Sequence, residues 1–258
     1  MTQLPKTIGL LGCGTIGERI GAAALAEGFA EVAFVHSRDK GRATALFPRA
    51  RWIADAEDVP DQDVDLVIEA ATSEVMRSVV LGVLAKRDML AFTLTGLADD
   101  GLRAAVRERC RSAGTRFFVP HGGILGLDGI WDGKSELESV SITTTKSPKS
   151  LGLTDPTKEG VIYEGPTRGA CAAFPRNVNV HAALALCGLG FDNTRSVVIA
   201  DPATGKNGHV IEVNGRGLEW RLDIESPAGN GVTGAYTPVS GVNTARRILS
   251  QSYDIVLA

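Results

Sequence analysis

The stretch GLLGCGTIG, residues 9–17, decides the fold because it spaces Gly12, Gly14 and Gly17 as G-x-G-x-x-G. In this motif the first glycine allows a tight turn, the second lets a pyrophosphate approach the backbone, and the third lets helix and strand pack closely. A glycine-rich structural turn is the alternative, but an apolar run before the motif and a helical pattern after it favour a dinucleotide site. The predicted contacts are the glycines and the amides at the helix N-terminus, at Gly12, Gly14, Thr15, Ile16 and Gly17.

Apolar runs alternate with helical patterns up to residue 120, which predicts a parallel sheet covered on both faces. These strands are expected at residues 7–12, 31–36, 64–71 (as the third strand), 89–94 and 115–120. Beyond residue 120 the strands alternate polar and apolar residues, and the last two read as a hairpin, which predicts a mostly antiparallel sheet with helices on one side. This second set is expected at residues 138–146, 195–200, 208–215 and 218–226.

The fold class is therefore α/β, with a doubly wound Rossmann domain followed by an α+β domain. We assign residues 1–120 to the dinucleotide-binding domain, and add residues 240–258 because a helical tail of this kind can pack back on a first domain. Residues 121–239 form the predicted catalytic and dimerisation domain.

The composition excludes several classes of function. The net charge of −3, from 27 basic and 30 acidic residues, argues against nucleic acid as the main partner. No apolar run is long enough to span a bilayer, and the start of the chain leaves no room for a cleavable signal peptide, so we expect a cytoplasmic protein that does not bind membranes. The four cysteines lack C-x-x-C spacing, which favours reduced thiols and no metal site.

The end of the second predicted strand, FVHSRD, selects between nicotinamide cofactors. An acid there would bind the adenosine ribose 2′-hydroxyl. Instead His36 and Ser37 occupy the position, Arg38 follows, and Asp39 lies too far along. A hydroxyl and an arginine suit a 2′-phosphate, so we expect NADP in preference to NAD. In the alternative reading Arg38 is a solvated loop charge.

The second half carries a family pattern. VPHGGILGLDGI (119–130), FPRNVNV (174–180) and ADPATGKNGHVIEV (200–213) follow VIEAAT (67–72) in that order. Together with the glycine motif they resemble the L-aspartate dehydrogenase family over nearly the whole chain. The resemblance implies a Rossmann domain joined to an α+β domain, a homodimer, and interconversion of aspartate with iminosuccinate or oxaloacetate using NAD or NADP.

The resemblance also implies roles for single residues. The histidine of the family's N-x-H segment falls on His209, which is the expected catalytic acid/base. The last asparagine of F-P-x-N-x-N falls on Asn179, a nicotinamide-side contact, and Ala71 in VIEAAT is a further cofactor contact. The family's S-G-A turn at the cofactor falls on His121, Gly122 and Gly123.

The departures from the family lie where substrate is expected. His121 and Gly123 replace serine and alanine, and NGVTG (230–234) keeps only Asn230 and Thr233 of the family's N-P-K-T-S. We therefore expect His121, Asn230 and Thr233 on the substrate side, with a capping or packing role as the alternative for His121. The alternatives are an NADPH-dependent reductase of a different imine or keto acid, and an inactive nucleotide-binding homologue.

A histidine suits the proton transfers of amine oxidation, because its unperturbed pKa of about 6.5 lies near neutral pH. His209 stands where a loop enters a strand, a place where histidines are also purely structural. Asn207, two residues earlier, would share its face and orient substrate or imidazole, or else lie in a turn. His181 is read as a packed helix residue or a second catalytic group.

A dicarboxylate substrate would need cations, and the second half offers four in predicted loops. The sequence does not rank them and favours a surface charge for each. They are Lys146, Arg168, Arg176 and Lys206. Glu69, after the strand at 64–71, lies near the expected cofactor crevice or only caps that strand end.

Overall fold

The computed structural model describes residues 6–227 and 233–250. Among these, residues 6–93, 101–120 and 238–250 form one compact unit, and residues 94–100, 121–227 and 233–237 form a second. No helix in these ranges is long and apolar enough to cross a membrane.

The first unit contains a six-stranded sheet whose strand pairs are all parallel, in the order β3-β2-β1-β4-β5-β6. The strands are β1 (Thr7–Leu11), β2 (Glu31–His36), β3 (Arg51–Ile53), β4 (Leu66–Glu69), β5 (Asp88–Ala91) and β6 (Phe117–Phe118). The α-helices are α1 (Thr15–Glu27), α2 (Lys40–Leu46), α3 (Ser73–Leu84), α4 (Asp100–Ala113) and, at the end of the described chain, α9 (Tyr236–Leu249). This order is that of a doubly wound dinucleotide-binding sheet, so the predicted fold class is confirmed.

One prediction for this sheet was wrong. The strand predicted at 64–71 is the fourth, not the third, and only Leu66–Glu69 is extended. The missed strand, Arg51–Ile53, has three residues, too few for a periodic signal, and it pairs at the edge of the sheet.

The core of the first unit explains why β1 and β4 consist mostly of apolar residues. Helix α1 buries Ile20 against the β1 side chains of Ile8 and Leu10 in one cluster. The α9 residues Val242 and Ala245 belong to the same cluster. Burying each large aliphatic side chain contributes about 1.5–3 kcal/mol, so the last helix is an integral part of this unit.

The second unit contains a five-stranded sheet in the order β11-β10-β7-β9-β8. Its strands are β7 (Leu137–Lys146), β8 (Gly160–Pro166), β9 (Thr194–Ala200), β10 (Lys206–Gly215) and β11 (Leu218–Pro227). The predicted hairpin is β10–β11. The sheet is mixed, because β7 and β9 run parallel while the other pairs are antiparallel. Strand β8 was missed, since its glycines and proline resemble loop composition.

Helices cover one face of this sheet. They are α5 (Leu127–Asp132), α6 (Pro148–Leu151), α7 (Thr167–Ala173) and α8 (Asn179–Cys187), and α7 and α8 pack on β9. Along β7 the buried residues alternate with more exposed ones, so that Ile142, Thr144 and Lys146 share the buried side. Two of these three buried residues, Thr144 and Lys146, are polar, so this face of the sheet buries polar groups as well as a hydrophobic core.

Candidate active site

The glycine loop has the shape that its motif predicts. Gly12 has φ +92°, and a Cβ there would lie 2.6 Å from the Ala70 carbonyl oxygen. A Cβ at Gly17 would overlap the Gly12 carbonyl oxygen, whereas one at Gly14 would meet no atom within 4 Å. The turn and the close packing therefore require the first and third glycines, and open space lies at the second. The N-terminus of α1 also lacks a side-chain cap, so this cradle fits a pyrophosphate.

Neighbouring segments complete the cradle within the first unit. The Gly12 amide donates to the His36 carbonyl at 2.8 Å, and the Cα of Ala71 lies 3.2 Å from the Cβ position at Gly12. Glu69 is fully buried, and its carboxylate accepts hydrogen bonds from Ala71 N at 2.7 Å and Thr93 N at 3.0 Å. Burial raises the pKa of Glu69 to about 7. These contacts support the strand-capping reading of Glu69.

Several side chains at the end of β2 already make hydrogen bonds within the first unit. His36 is buried and its Nδ1 lies 3.1 Å from the Ile53 carbonyl oxygen. Ser37 Oγ accepts from the Asp39 amide at 3.2 Å, and Asp39 caps α2 by accepting from Arg42 N at 2.8 Å. Arg38 is exposed. Asp39 is therefore a helix cap.

Arg42 was missed by the sequence reasoning. Its Nε donates to the Cys13 carbonyl of the glycine loop at 3.1 Å, and its guanidinium pairs with Glu18 at 2.5 Å. The signal was available, because reading Asp39 as an N-cap places Arg42 in the first helical turn, beside the end of β2. It is a second cation near the expected adenosine end.

His209 lies inside the second sheet. It is the fourth residue of β10, it stands opposite Thr144 of β7, and it is 5% exposed. Asn207 shares its face and is also buried. The expectation that His209 begins the strand was wrong, as was the turn alternative for Asn207, because β10 starts earlier, at Lys206.

The turn HGG (121–123) lies close to the imidazole of His209. A Cβ at Gly123 would lie 3.7 Å from His209 Nε2 and 3.2 Å from Thr237 Oγ1. The imidazole of His121 lies 3.7 Å from the Asp128 carboxylate. Nε2 of His209 therefore faces the turn that the resemblance places at the cofactor.

The other predicted substrate residues are placed as follows. Thr233 lies in the bend before Gly234, and a Cβ at Gly234 would lie 3.4 Å from Asn207 Nδ2. Asn230 lies outside the described residues. The segment that follows Thr233 thus borders the same face of β10 that carries His209.

Lys146 differs most from its sequence reading. It was treated as a loop cation although it ends the strand predicted at 138–146; it is the last residue of β7 and is 4% exposed, on the same face as Thr144. Its Nζ contacts the Asn177 carbonyl oxygen at 3.4 Å. Burial lowers the pKa of Lys146 to about 8, so at neutral pH it is a desolvated cation beside the candidate base.

The remaining predicted cations have other surroundings. Arg168 lies in α7 and pairs with Asp100 at 3.0 Å and Asp192 at 2.6 Å. Arg176 is exposed, and Lys206 is half-exposed and paired with Glu225. Of the four, Lys146 is the one buried near His209.

The environment of His209 changes its expected titration. Burial, and then the charge of Lys146, lower the pKa of His209 to about 3. The pKa of His209 thus lies well below the unperturbed value of about 6.5 on which the sequence argument relied. The imidazole is therefore neutral throughout the physiological range, and one of its ring nitrogens carries a free lone pair.

Two residues of α8 have defined partners. Asn179 Oδ1 accepts from Leu94 N at 2.9 Å and Thr95 N at 3.3 Å, so it holds the backbone of that segment. His181 is fully buried, with Nε2 2.6 Å from Thr144 Oγ1. Burial, then the neighbouring His209 and Lys146, lower the pKa of His181 well below its ordinary value.

The buried histidines predict a loss of stability in acid. Below pH 6.5 the unfolded chain protonates them while the folded protein does not, so the free energy of unfolding falls as pH falls. From pH 7.5 to 5.5 we expect each histidine to remove about 1.4 kcal/mol. Urea unfolding at both values should therefore show a drop for wild type about 1.4 kcal/mol larger than for His209→Gln.

Glu69 titrates in the opposite sense in this window, because its raised pKa lets the folded protein hold a proton that the unfolded chain has released. Its contribution is common to both proteins and cancels in their difference. Equal drops for wild type and His209→Gln would show that His209 is not held neutral by burial.

Comparison with known proteins identifies related sequences for both units. Residues 130–248 match the family model "Aspartate dehydrogenase, C-terminal", and residues 12–120 match "Homoserine dehydrogenase, NAD binding domain". L-aspartate dehydrogenase from Nitrosopumilus maritimus is 32% identical over 97% of this chain and 99% of its own length. The corresponding protein from Methanosarcina barkeri is 33% identical over 94% and 97%.

Solved structures agree with this. The crystal structure of aspartate dehydrogenase from Thermotoga maritima has a TM-score of 0.78 and 26% identity, covering 98% of this chain and 99% of that one. A hyperthermophilic archaeal homoserine dehydrogenase in complex with NADPH shares the fold, with a TM-score of 0.60 and 13% identity over 95% and 98% of the two chains.

Proposed function

Because the chain belongs to the L-aspartate dehydrogenase family, as its motifs indicated, we propose that it interconverts L-aspartate with iminosuccinate, and so with oxaloacetate and ammonia. The observation that carries the proposal is the pairing of a neutral buried base, His209, with a buried cation, Lys146, on one face of the second sheet. The base suits the proton transfers of amine oxidation, and the cation suits a carboxylate of the substrate.

The cofactor proposed is NADP, with NAD as the second choice. Residues of the first unit support this: the open space at Gly14, the uncapped N-terminus of α1, and cations at Arg38 and Arg42. Gly123, Asn179 and Ala71 are proposed for the nicotinamide side, on the family pattern. When bound, the nicotinamide takes the hydride that leaves the substrate carbon.

The residues of the second unit would manage the protons. The α-ammonium of aspartate must lose a proton before hydride can leave its carbon, and His209 Nε2 is the acceptor proposed for that proton. After this first proton has passed to solvent, water adds to the iminium and gives a proton to the same nitrogen. His209 then returns that proton to the amine of the carbinolamine, so that ammonia leaves as the hydroxyl group loses its proton and the carbonyl forms. Asn207, on the same face, is proposed to orient the substrate.

The test is steady-state oxidation of NADPH with oxaloacetate plus ammonia. Each component is also supplied alone, because turnover with oxaloacetate alone would mean reduction of its carbonyl. Turnover that needs both components supports amine formation on a four-carbon acid. Tight NADPH binding with no turnover on any amino or keto acid would support an inactive nucleotide-binding homologue instead.

A second candidate is reduction of a different imine or keto acid by NADPH. The observation that favours it is the space beside His209, where Gly123 leaves out the methyl group of the family's alanine, in ordinary van der Waals range of Nε2. A panel of imino and keto acids at fixed NADPH decides between the two. A clear preference for the four-carbon dicarboxylate removes this candidate.

Cofactor preference gives a separate prediction. A guanidinium bonded to a phosphate contributes about 1.5–3 kcal/mol. Because Arg38 is exposed, we expect the lower end of this range, so that Arg38→Ala lowers kcat/KM for NADPH a little over tenfold and leaves NADH nearly unchanged. Arg42→Ala should shift the NADPH to NADH ratio in the same direction. The exposed Arg111 on α4 provides the control as Arg111→Ala. An unchanged ratio in both test variants would return Arg38 to the status of a solvated loop charge.

The organisation of the chain is proposed from the family pattern. We propose that residues 1–120 with 240–258 bind the dinucleotide, that 121–239 carry catalysis and dimer contacts, and that the protein is a cytoplasmic homodimer. Sedimentation equilibrium tests the dimer, and a monomer at micromolar concentration would contradict it.

A further inference from the structure

Four buried polar side chains connect a backbone carbonyl to the imidazole of His209. They form what we call the hydroxyl–imidazole chain, and all four are fully buried: Thr167, Ser196, His181 and Thr144. Burying so many polar groups costs free energy unless each is hydrogen-bonded. Only His181 had been singled out in the sequence, and the proposed chemistry does not use any of the four directly.

The direction of the bonds follows from the carbonyl end. Thr167 Oγ1 donates to the Thr194 carbonyl oxygen at 3.0 Å, which uses its single hydroxyl proton. Ser196 Oγ, 2.8 Å from Thr167 Oγ1, must therefore be the donor in that bond. Having spent its proton, Ser196 can only accept from His181 Nδ1 at 2.9 Å. Neutral His181 consequently carries its proton on Nδ1.

The same reasoning extends to His209. With Nδ1 protonated, the Nε2 lone pair of His181 accepts the Thr144 hydroxyl proton at 2.6 Å. Thr144 Oγ1 then has only lone pairs for His209 Nδ1, at 2.8 Å. Nδ1 of His209 must therefore be the donor, and its Nε2, which faces Gly123, keeps an open lone pair.

We propose that the hydroxyl–imidazole chain fixes His209 as its Nδ1–H tautomer, with Thr144, His181, Ser196 and Thr167 acting as positioning residues. The proposal deepens the proposed function, because it assigns the base form to the nitrogen that would meet the substrate. The Thr194 carbonyl oxygen can only accept a hydrogen bond, so every bond of the hydroxyl–imidazole chain must point toward it. Protonation of His209 at Nε2 leaves Nδ1–H in place, so base and acid forms alternate without any hydroxyl turning.

The charges around the chain help to hold this direction. A proton on His181 Nε2 would remove the lone pair that accepts the Thr144 hydroxyl proton. The Thr144 hydroxyl would then have to turn and donate to His209 Nδ1. The proton of neutral His209 would move to Nε2, which would then have no lone pair for the substrate. Burial lowers the pKa of both imidazoles; the Lys146 ammonium lowers it further at His209, and at His181 it does so after His209 itself. Lys146 thus favours a neutral His181.

The direct test is the tautomer itself, read from long-range ¹H–¹⁵N spectra of the full-length protein labelled at histidine. With no cofactor or substrate present, we expect a protonated Nδ1 and an unprotonated Nε2 for both His209 and His181. The four histidines are assigned with single-residue variants. An Nε2–H tautomer at His209 in the wild-type protein would overturn the proposal.

Variants of Thr144 test its consequence for turnover. Thr144→Val keeps the shape but offers no acceptor, so we expect kcat to fall at least tenfold with little change in the KM of NADPH, and the Nδ1–H signature of His209 to disappear. Thr144→Ser restores the hydroxyl and should restore both. The control is Thr143→Val, one residue away on the other face of β7. A kcat within twofold of wild type for Thr144→Val would contradict the positioning role.

Ser196→Ala tests the chain at a distance from His209 and serves also if Thr144→Val does not fold. Without the serine oxygen, His181 is no longer fixed as Nδ1–H, and we expect mixed tautomers at His209. An unchanged His209 spectrum would show that the bonds between the Thr194 carbonyl and His181 do not determine the tautomer of His209, and it would overturn the proposal. These spectra need no substrate. Absence of aspartate turnover would therefore refute the proposed function, whereas the tautomer assignment would still be decided by the spectra.

Discussion

Replacing His209 by glutamine should lower kcat for aspartate oxidation about a thousandfold, within the range expected for loss of a general acid–base group. Glutamine has a similar length but cannot take up a proton at neutral pH. The affinity for NADPH should change little, because the dinucleotide contacts proposed at Gly12, Gly14 and Arg38 belong to the first unit. Stopped-flow or steady-state assays give kcat, and fluorescence titration gives the NADPH dissociation constant.

The reason for so large an effect is the position of the imidazole. Nε2 faces the HGG turn, the strand is held between two neighbours, and burial keeps the ring neutral. A base on a rigid strand needs no reorganisation before it accepts a proton. If His209→Gln kept turnover within threefold of wild type, the base would have to be sought elsewhere, with His121 next. Loss of NADPH binding together with turnover would instead indicate a structural role.

Local rules account for the parts of the fold that could be predicted. The glycine motif works through turn geometry and close packing at Gly12 and Gly17, which depend on a few adjacent residues, so it predicted the Rossmann unit. The alternating strands predicted the hairpin β10–β11 for the same reason. The parallel pairing of β7 with β9 was not predictable, because it joins segments about fifty residues apart, and the choice between parallel and antiparallel neighbours leaves no local pattern.

The candidate site divides in the same way. His209 was found through its flanking motif, but its lowered pKa depends on burial and on Lys146, which only the folded sheet brings close. Thr144 and Ser196 were missed because threonine and serine at buried strand positions look like ordinary sheet residues. Because side chains alternate between the two faces of a strand, the sequence SITTTK (141–146) could have placed Lys146 on the same face as Thr144. A lysine at a strand end is nevertheless usually solvated, which is why the sequence favoured a surface charge.

Lys146 is proposed to bind a substrate carboxylate, and its titration gives this role a distinctive pH dependence. The cation is desolvated, and burial lowers its pKa to about 8. Only the protonated form attracts a carboxylate, so kcat/KM for aspartate should fall as pH rises above 8, when the free enzyme loses this charge. Deprotonation of the substrate amine acts in the opposite direction, but it is the same for every variant. The difference between the profiles of wild type and a variant therefore isolates the lysine.

Lys146→Met should lower kcat/KM for aspartate about a hundredfold, mainly through KM, because a charge-assisted hydrogen bond to carboxylate contributes roughly 1.5–3 kcal/mol. Methionine fills the buried volume without the charge, and the fall above pH 8 should vanish. Lys206→Met is the matched control, since Lys206 is half-exposed and already paired with Glu225; its kcat/KM should stay within twofold of wild type. If Lys146→Met bound aspartate normally while Lys206→Met did not, the carboxylate partner would be the surface lysine, and the cation beside His209 would act only by keeping the two imidazoles neutral.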